Sequence, residues 1–292
     1  MIYKVEHKTE YEYQDSATAC YNIVFQKPLI CSFQRLLFHE YKINPEPEIV
    51  EERIDFFENN YAYFSLEFPH KKLSVLSKSK VVITKPFWQD FVPENSVSWE
   101  KVVRYLKSTS AANDIRQFCL DSTLVYQING MQEYIREVFT PDKPILTAML
   151  QFNSKIYKDF KYRSGYTDIS TPLEKLFQER VGVCQDFAHF TIGCLRSLGL
   201  AAKYISGYIE TIPAPGQKKL KGADASHAWL AIYVPDLGWV EFDPTNNLMV
   251  NQQHIRVATG RDFKDVVPMK GIVYSSGTHK LKVAVDVQQI GE

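Results

Sequence analysis

A cysteine following a glycine at the head of an amphipathic helix is a candidate nucleophile, and this chain has one in Gly182-Val-Cys184-Gln-Asp-Phe-Ala188. On a helix, Cys184, Phe187, Ala188, Thr191, Cys194, Leu195 and Leu198 fall on one apolar stripe, and Gly199 suits a C-terminal stop. Cys184 then sits in the first turn, where unpaired amides and the helix dipole favour an anion, so a thiolate is stabilised there. The backbone amide of Cys184, pointing outward, is also a natural donor to an oxyanion. Cys194 lies on the same stripe with nothing polar around it and reads as core.

Two further residues complete a thiol acyl-transfer set. Ala225-Ser-His227-Ala-Trp229 opens a strand, and Trp239-Val-Glu-Phe-Asp243-Pro-Thr245 closes the next. A hairpin of that length folds Asp243 back towards His227. The imidazole would take the thiol proton, and the carboxylate would orient the ring and stabilise its cation. Each residue has a plainer explanation alone: a packed cysteine, a satisfied histidine, a turn aspartate before proline. The ordered set of three is much less expected by chance.

These residues must be positioned by an α+β architecture. Residues 1–92 read as β structure, with alternation at Tyr3, Val5 and His7 and short apolar runs at 36–38, 61–66, 73–76 and 80–83. Glu58-Asn59-Asn60 suits a turn, because Asn tolerates positive φ. A proline-containing stretch from Lys85-Pro86 to Val92-Pro93 marks a boundary. Helical periods follow at Val102, Val103 and Leu106, at Met131 to Val138, and from Pro144 through Ile156. Ser170-Thr-Pro-Leu-Glu174 has the form of another helix start, with a capping hydroxyl. Strands return at 203–209, 228–234 and 239–242, with a last one at 281–287. Helices followed by strands, without βαβ alternation, argue for an α+β core.

The three motifs, with Arg196 to Gly199 and Gly207-Tyr208 between them, resemble the transglutaminase-like superfamily in its bacterial branch, a papain-like cysteine fold. The segment Asn246 to Asp262 and then Asp265-Val-Val-Pro268 is similar to the stretch that follows the Asp-Pro-Thr motif there, and residues 3–82 resemble the β domain that precedes the core in bacterial members. The resemblance implies Cys184 as nucleophile, His227 as base and acid, and Asp243 as orienting carboxylate. It implies an N-terminal antiparallel β-sandwich-like domain, residues 1–92, ahead of a papain-like/transglutaminase-like core, residues 93–292, that includes a C-terminal β extension. A second oxyanion donor in this superfamily is often an upstream side chain, and Gln178, Tyr162 and Tyr166 are the candidates. One departure stands out: where relatives often carry Arg-Leu-x-Pro, this chain has Phe25-Gln-Lys-Pro-Leu29.

The family supports hydrolysis, transamidation and, in some relatives, deglycosylation of asparagine-linked glycans. A peptidase or amidase acting on a protein or peptide carbonyl is preferred here, because no amine site that excludes water is evident. The competing class is a non-catalytic protein-binding scaffold, suggested by the aromatic residues Phe56, Phe57, Tyr61, Tyr63 and Phe64. No cofactor is expected. No acidic cluster resembles a calcium loop, and His189 fits no zinc spacing with Cys184 or Cys194. Asp186 reads as a first-turn carboxylate serving the helix dipole. Arg261-Asp262 reads chiefly as an internal ion pair holding the tail, with lining of the cleft as the alternative. Residues 211–226, rich in lysine, read mainly as a long hairpin connection, with a gate over His227 as the alternative.

Composition narrows the rest. The 292 residues carry 34 basic and 34 acidic side chains, so the zero net charge argues against a nucleic-acid partner. There is no run of 18 apolar residues to span a membrane. Five cysteines without a CxxC pair argue against a disulfide framework. The opening Met1-Ile-Tyr-Lys-Val-Glu-His lacks a charged-then-apolar signal pattern, so a cytoplasmic location is expected.

Overall fold

Alternating burial, clear in four of them, accompanies six strands in the first 83 residues: Ile2–Ala17 (β1), Ala19–Val24 (β2), Gln34–Asn44 (β3), Ile49–Ile54 (β4), Asn60–Leu66 (β5) and His70–Ile83 (β6). The computed structural model describes residues 1–108, 111–169, 171–210 and 226–291. The two runs expected at 73–76 and 80–83 are one strand, since Ser77 and Ser79 are buried and keep the period of two across the polar stretch. The chain turns before β5 with positive φ at Glu58, not at an asparagine. Asn59 is buried instead, with its amide bonded to Thr259.

Helices Trp99–Lys107 (α1), Asn113–Arg116 (α2), Met131–Arg136 (α3) and Ile145–Asp159 (α4) follow. A short strand, Lys161–Tyr162 (β7), precedes helix Leu173–Glu179 (α5). That helix starts from Pro172 without a side-chain cap, and the Thr171 hydroxyl bonds Asp168; Ser170 lies outside the described residues. Then come Val181–Gly182 (β8), helix Cys184–Ser197 (α6), and strands Ala202–Ile209 (β9), Ser226–Val234 (β10), Gly238–Asp243 (β11), Leu248–Met249 (β12) and His254–Gly260 (β13).

The division at residue 92 placed everything after it with the core, and the last two strands depart from that. Met269–Tyr274 (β14) pairs with β2, and His279–Gly291 (β15) pairs with β1, both antiparallel. They supply neighbours to strands that would otherwise expose unpaired edges. Two four-stranded sheets result, ordered β15-β1-β6-β3 and β14-β2-β5-β4. They share an apolar layer of Tyr13, Cys20, Phe64, Leu66, Leu73, Val75 and Met269, as in a β-sandwich.

The core sheet is antiparallel, ordered β12-β11-β10-β9-β13. Helix α6 is buried on nearly every side, including Asp186, His189 and Arg196, so the narrow stripe expected for it is an underestimate: helices α3, α4 and α5 cover its other faces. Tyr3, Val5, Val81, Ile83 and Val285 pack into the same apolar core as α4 and α6. The β domain also closes the free edge of β13. The buried Gln34 amide accepts from Arg256 N at 2.8 Å and donates to Arg256 O at 2.8 Å, and Asn59 does the same at Thr259 with 2.7 Å in each direction. Each amide mimics a neighbouring strand and satisfies backbone groups that burial would otherwise leave unpaired.

Candidate active site

Cys184 is the first residue of α6, and its surroundings are set by the turn before it. Lys161 and Tyr162 pair in parallel with Val181 and Gly182, and Arg163 N donates to Gly182 O at 2.9 Å. Asp186 caps the helix, accepting from Val183 N at 2.7 Å and from the Thr167 hydroxyl at 2.5 Å. It therefore faces the backbone before the helix and holds the loop on which Cys184 rides. Burial pushes its carboxyl up, against the pull of those two donors. Cys184 is partly exposed, as access by a substrate requires.

His227 is the second residue of β10, opposite Gly207 of β9. Its Nε2 lies 2.7 Å from Asp243 Oδ2, and the Cys184 sulfur is near enough to favour the cationic ring. With Nε2–H committed to the carboxylate, Nδ1 is left for the thiol. Burial by itself would lower the imidazole; the charge and hydrogen bond of Asp243, and then the Cys184 sulfur, raise it from 6.5 to about 10.

Asp243 ends β11 and is fully buried. Its Oδ1 accepts from Thr245 N at 2.9 Å and Asn246 N at 3.1 Å. Its Oδ2 accepts from His227, from Asn246 Nδ2 at 2.6 Å and from His254 Nε2 at 3.1 Å. Burial opposes its charge, but the two imidazoles hold the carboxyl well below the usual range. The Asn153 side chain of α4 donates to the Asp243 carbonyl at 3.0 Å and fixes the strand end.

The structure thus places Cys184, His227 and Asp243 near one another, and the three oxyanion candidates differ in their surroundings. Tyr162 is exposed, its backbone pairs with Gly182 two residues before the nucleophile, and partial burial, then the Cys184 sulfur, push its phenol up. Gln178 is exposed, because α5 buries Leu173 and Leu176 and leaves position 178 on the solvent face. Tyr166 is turned away, with its hydroxyl on Glu179 at 3.0 Å and Arg163 over its ring. Arg261 pairs with Asp265, not Asp262. Asp262 is buried and accepts from Leu124 N at 2.9 Å and Lys264 N at 2.8 Å, which ties the tail to the helical half. His189 is buried and accepts from Phe263 N at 3.1 Å, a packing role. The expected gate at 211–226 lies outside the described residues except for Ser226.

Three features escaped the sequence reading: His254, Asn246, and the pairing of the Trp229 indole with Glu241 at 2.8 Å. His254 stands in the stretch that follows the Asp-Pro-Thr motif, but nothing in its neighbours signals contact with a residue eleven positions earlier. The side-chain donors of His227, Asp243 and His254 lie within 4.8 Å of one another, as metal ligands can. Two of their separations, 2.7 and 3.1 Å, are hydrogen-bond lengths, whereas a tetrahedral ion with bonds of about 2.0–2.1 Å holds its ligands roughly 3.3 Å apart. The two short separations are accounted for by hydrogen bonds.

Residues 3–82 match the model of the bacterial transglutaminase-like N-terminal region, and residues 132–244 match that of the transglutaminase-like superfamily. An uncharacterized protein of Mycobacterium tuberculosis is 37% identical over 98% of this chain and 92% of its own length. The chain belongs to the transglutaminase-like superfamily. Within the superfamily, a Pseudomonas aeruginosa protein-glutamine gamma-glutamyltransferase is 28% identical over 40% of this chain and 18% of its own length. A solved Cytophaga hutchinsonii structure, described as a "putative cysteine protease", is similar over 100% of this chain and 91% of its own, with TM-score 0.77 and 20% identity. That likeness supports the transglutaminase-like fold, antiparallel sheets around a helical half, and no more.

Proposed function

We propose that this chain is a thiol-dependent amide hydrolase, a peptidase or amidase, with Cys184 as nucleophile, His227 as base and acid, and Asp243 as orienting carboxylate. The observation that carries the reading is that His227 is hydrogen-bonded to a buried carboxylate held by five donors, and that a partly exposed thiol, Cys184, is near enough to favour its cation. In the reaction, the thiol proton first passes to His227, and the thiolate of the resulting pair attacks a carboxamide or peptide carbonyl. The imidazolium returns that proton to the departing amine, leaving a thioester. Water then attacks with His227 as base, releasing the acid and restoring the thiol. The Cys184 amide and the Tyr162 hydroxyl are the proposed donors to the tetrahedral oxygen.

A second reading is transamidation, in which an amine replaces water. The similarity of the core to a protein-glutamine gamma-glutamyltransferase favours considering it. One experiment separates them: glutamine-containing peptides are incubated with the protein, with and without a primary amine, against Cys184→Ala. New peptide termini or ammonia without amine incorporation support the hydrolase. Preferential amine incorporation supports the transferase. Neither product across a broad peptide set, with no Cys184 thioester by mass spectrometry, overturns both and leaves a scaffold. Tyr162→Phe is expected to lower turnover roughly tenfold to a thousandfold without changing alkylation of Cys184, because only the tetrahedral intermediate needs the hydroxyl.

A further inference from the structure

We propose that His254 is a positioning residue of this site, a neutral donor that locks the Asp243 carboxylate in the orientation His227 needs. The inference rests on the reading of Cys184, His227 and Asp243 given above.

His254 opens β13, on the opposite side of β9 from His227, and its ring is fully buried. Its Nε2 faces Asp243 Oδ2 at 3.1 Å. A carboxylate oxygen is an acceptor, so the facing nitrogen carries the ring proton. The groups facing this ring that carry or acquire charge are Asp243 on β11 and His227 on β10, while the Trp229 indole packed against it at 5.1 Å is neutral. Burial holds the His254 imidazole below its usual value despite the pull of Asp243 and of the Asn251 backbone, and the nearby His227 cation works in the same direction as burial. His254 therefore supplies a hydrogen bond without supplying a second positive charge. Two imidazolium ions on one carboxylate would divide its field; one imidazolium and one neutral donor leave the charge of Asp243 to His227.

The ring is itself held in place. His254 pairs with Ile209 on β9, and Trp229 is fixed by its bond to Glu241, which forms an ion pair with Arg256. Gln34 of the β domain grips the backbone of Arg256, two residues beyond His254, on both sides of the peptide. This gives the β domain a part in the site: it braces the strand that carries His254.

The test compares His254→Leu with His254→Gln, whose amide nitrogen reaches about where Nε2 stood. The first readout is the iodoacetamide labelling rate of Cys184 from pH 5 to 10. The second is the 15N NMR spectrum of the histidine side chains. His254→Leu is expected to slow labelling at pH 6 by roughly tenfold to a hundredfold, and His254→Gln to restore it to within a few-fold. Equal losses in both variants, or no loss in either, overturn the proposal, since a space-filling role gives no rescue by a donor. If wild-type Cys184 does not label at pH 6, the triad reading fails and the NMR decides this inference alone. A His254 Nε2–H resonance that shifts in Asp243→Asn supports it, and an Nδ1–H tautomer overturns it.

Discussion

Replacing Asp243 by asparagine removes one charge and changes little volume, so it isolates what the carboxylate supplies. Cys-His-Asn sites exist in which a neutral amide orients the imidazole, and the question is whether this site tolerates one. Its geometry says it does not. All five groups around the two oxygens are donors, so an amide NH2 meets two backbone N–H groups in one orientation and three side-chain donors in the other. Leaving buried donors unsatisfied costs about 1–3 kcal/mol each. The lost charge matters more: two unit charges 4 Å apart at an effective dielectric of 20 attract by about 4 kcal/mol, or roughly three pKa units. That accords with an imidazole raised from 6.5 to about 10 against its own burial. In Asp243→Asn the equilibrium between the thiolate–imidazolium pair and its neutral form should shift about a thousandfold towards the neutral form, and iodoacetamide labelling of Cys184 at pH 6 should fall by up to that factor. The assay is labelling rate against pH by intact mass, with circular dichroism to confirm folding. A variant that labels within tenfold of wild type at pH 6 would refute the electrostatic reasoning and show that orientation alone suffices.

Other expectations follow from the same contacts. Gly207→Ala should destabilise by about 3 kcal/mol or more and abolish selective labelling of Cys184, because the added Cβ would lie 2.2 Å from Ile255 O and 2.4 Å from the Trp229 ring that flanks His227; urea denaturation within 0.5 kcal/mol of wild type would contradict this. Gln34→Leu should cost about 2–3 kcal/mol, since it strands the Arg256 amide in the interface between the β domain and β13, and unfolding curves at neutral pH measure it. The stability that His227 contributes is complete below its ordinary value of 6.5 and is lost as pH rises through about 10. The free-energy difference between wild type and His227→Gln should therefore shrink from pH 6 to 10.5, and a constant difference over that range would show that the raised imidazole is not coupled to folding.

How much of this was legible beforehand depends on the range of the interaction. The head of α6 was readable because glycine, cysteine and an early carboxylate lie within one turn, and capping is local: Asp186 reaches back only to Val183. The β10–β11 hairpin was readable because alternation and the Pro235–Gly238 turn are neighbours in sequence, with positive φ at Asp236 and Gly238. Gln178 shows the complementary case: it lies six residues before Cys184 in sequence, and helical phase places its side chain on the exposed face of α5.

Residue types and short-range periodicity determined the helix that carries Cys184, the hairpin that carries His227 and Asp243, and the expectation that thiol and imidazole meet. They could not determine which sheet edge β13 would occupy, which amides would cover that edge, or that His254 would face Asp243. Nor did they assign residues 269–291 to the β-sandwich, where β14 and β15 pair with strands more than 240 residues earlier. Those outcomes depend on closing long loops and on satisfying every backbone and carboxylate group that burial removes from water, a condition imposed on the whole fold and written in no single segment.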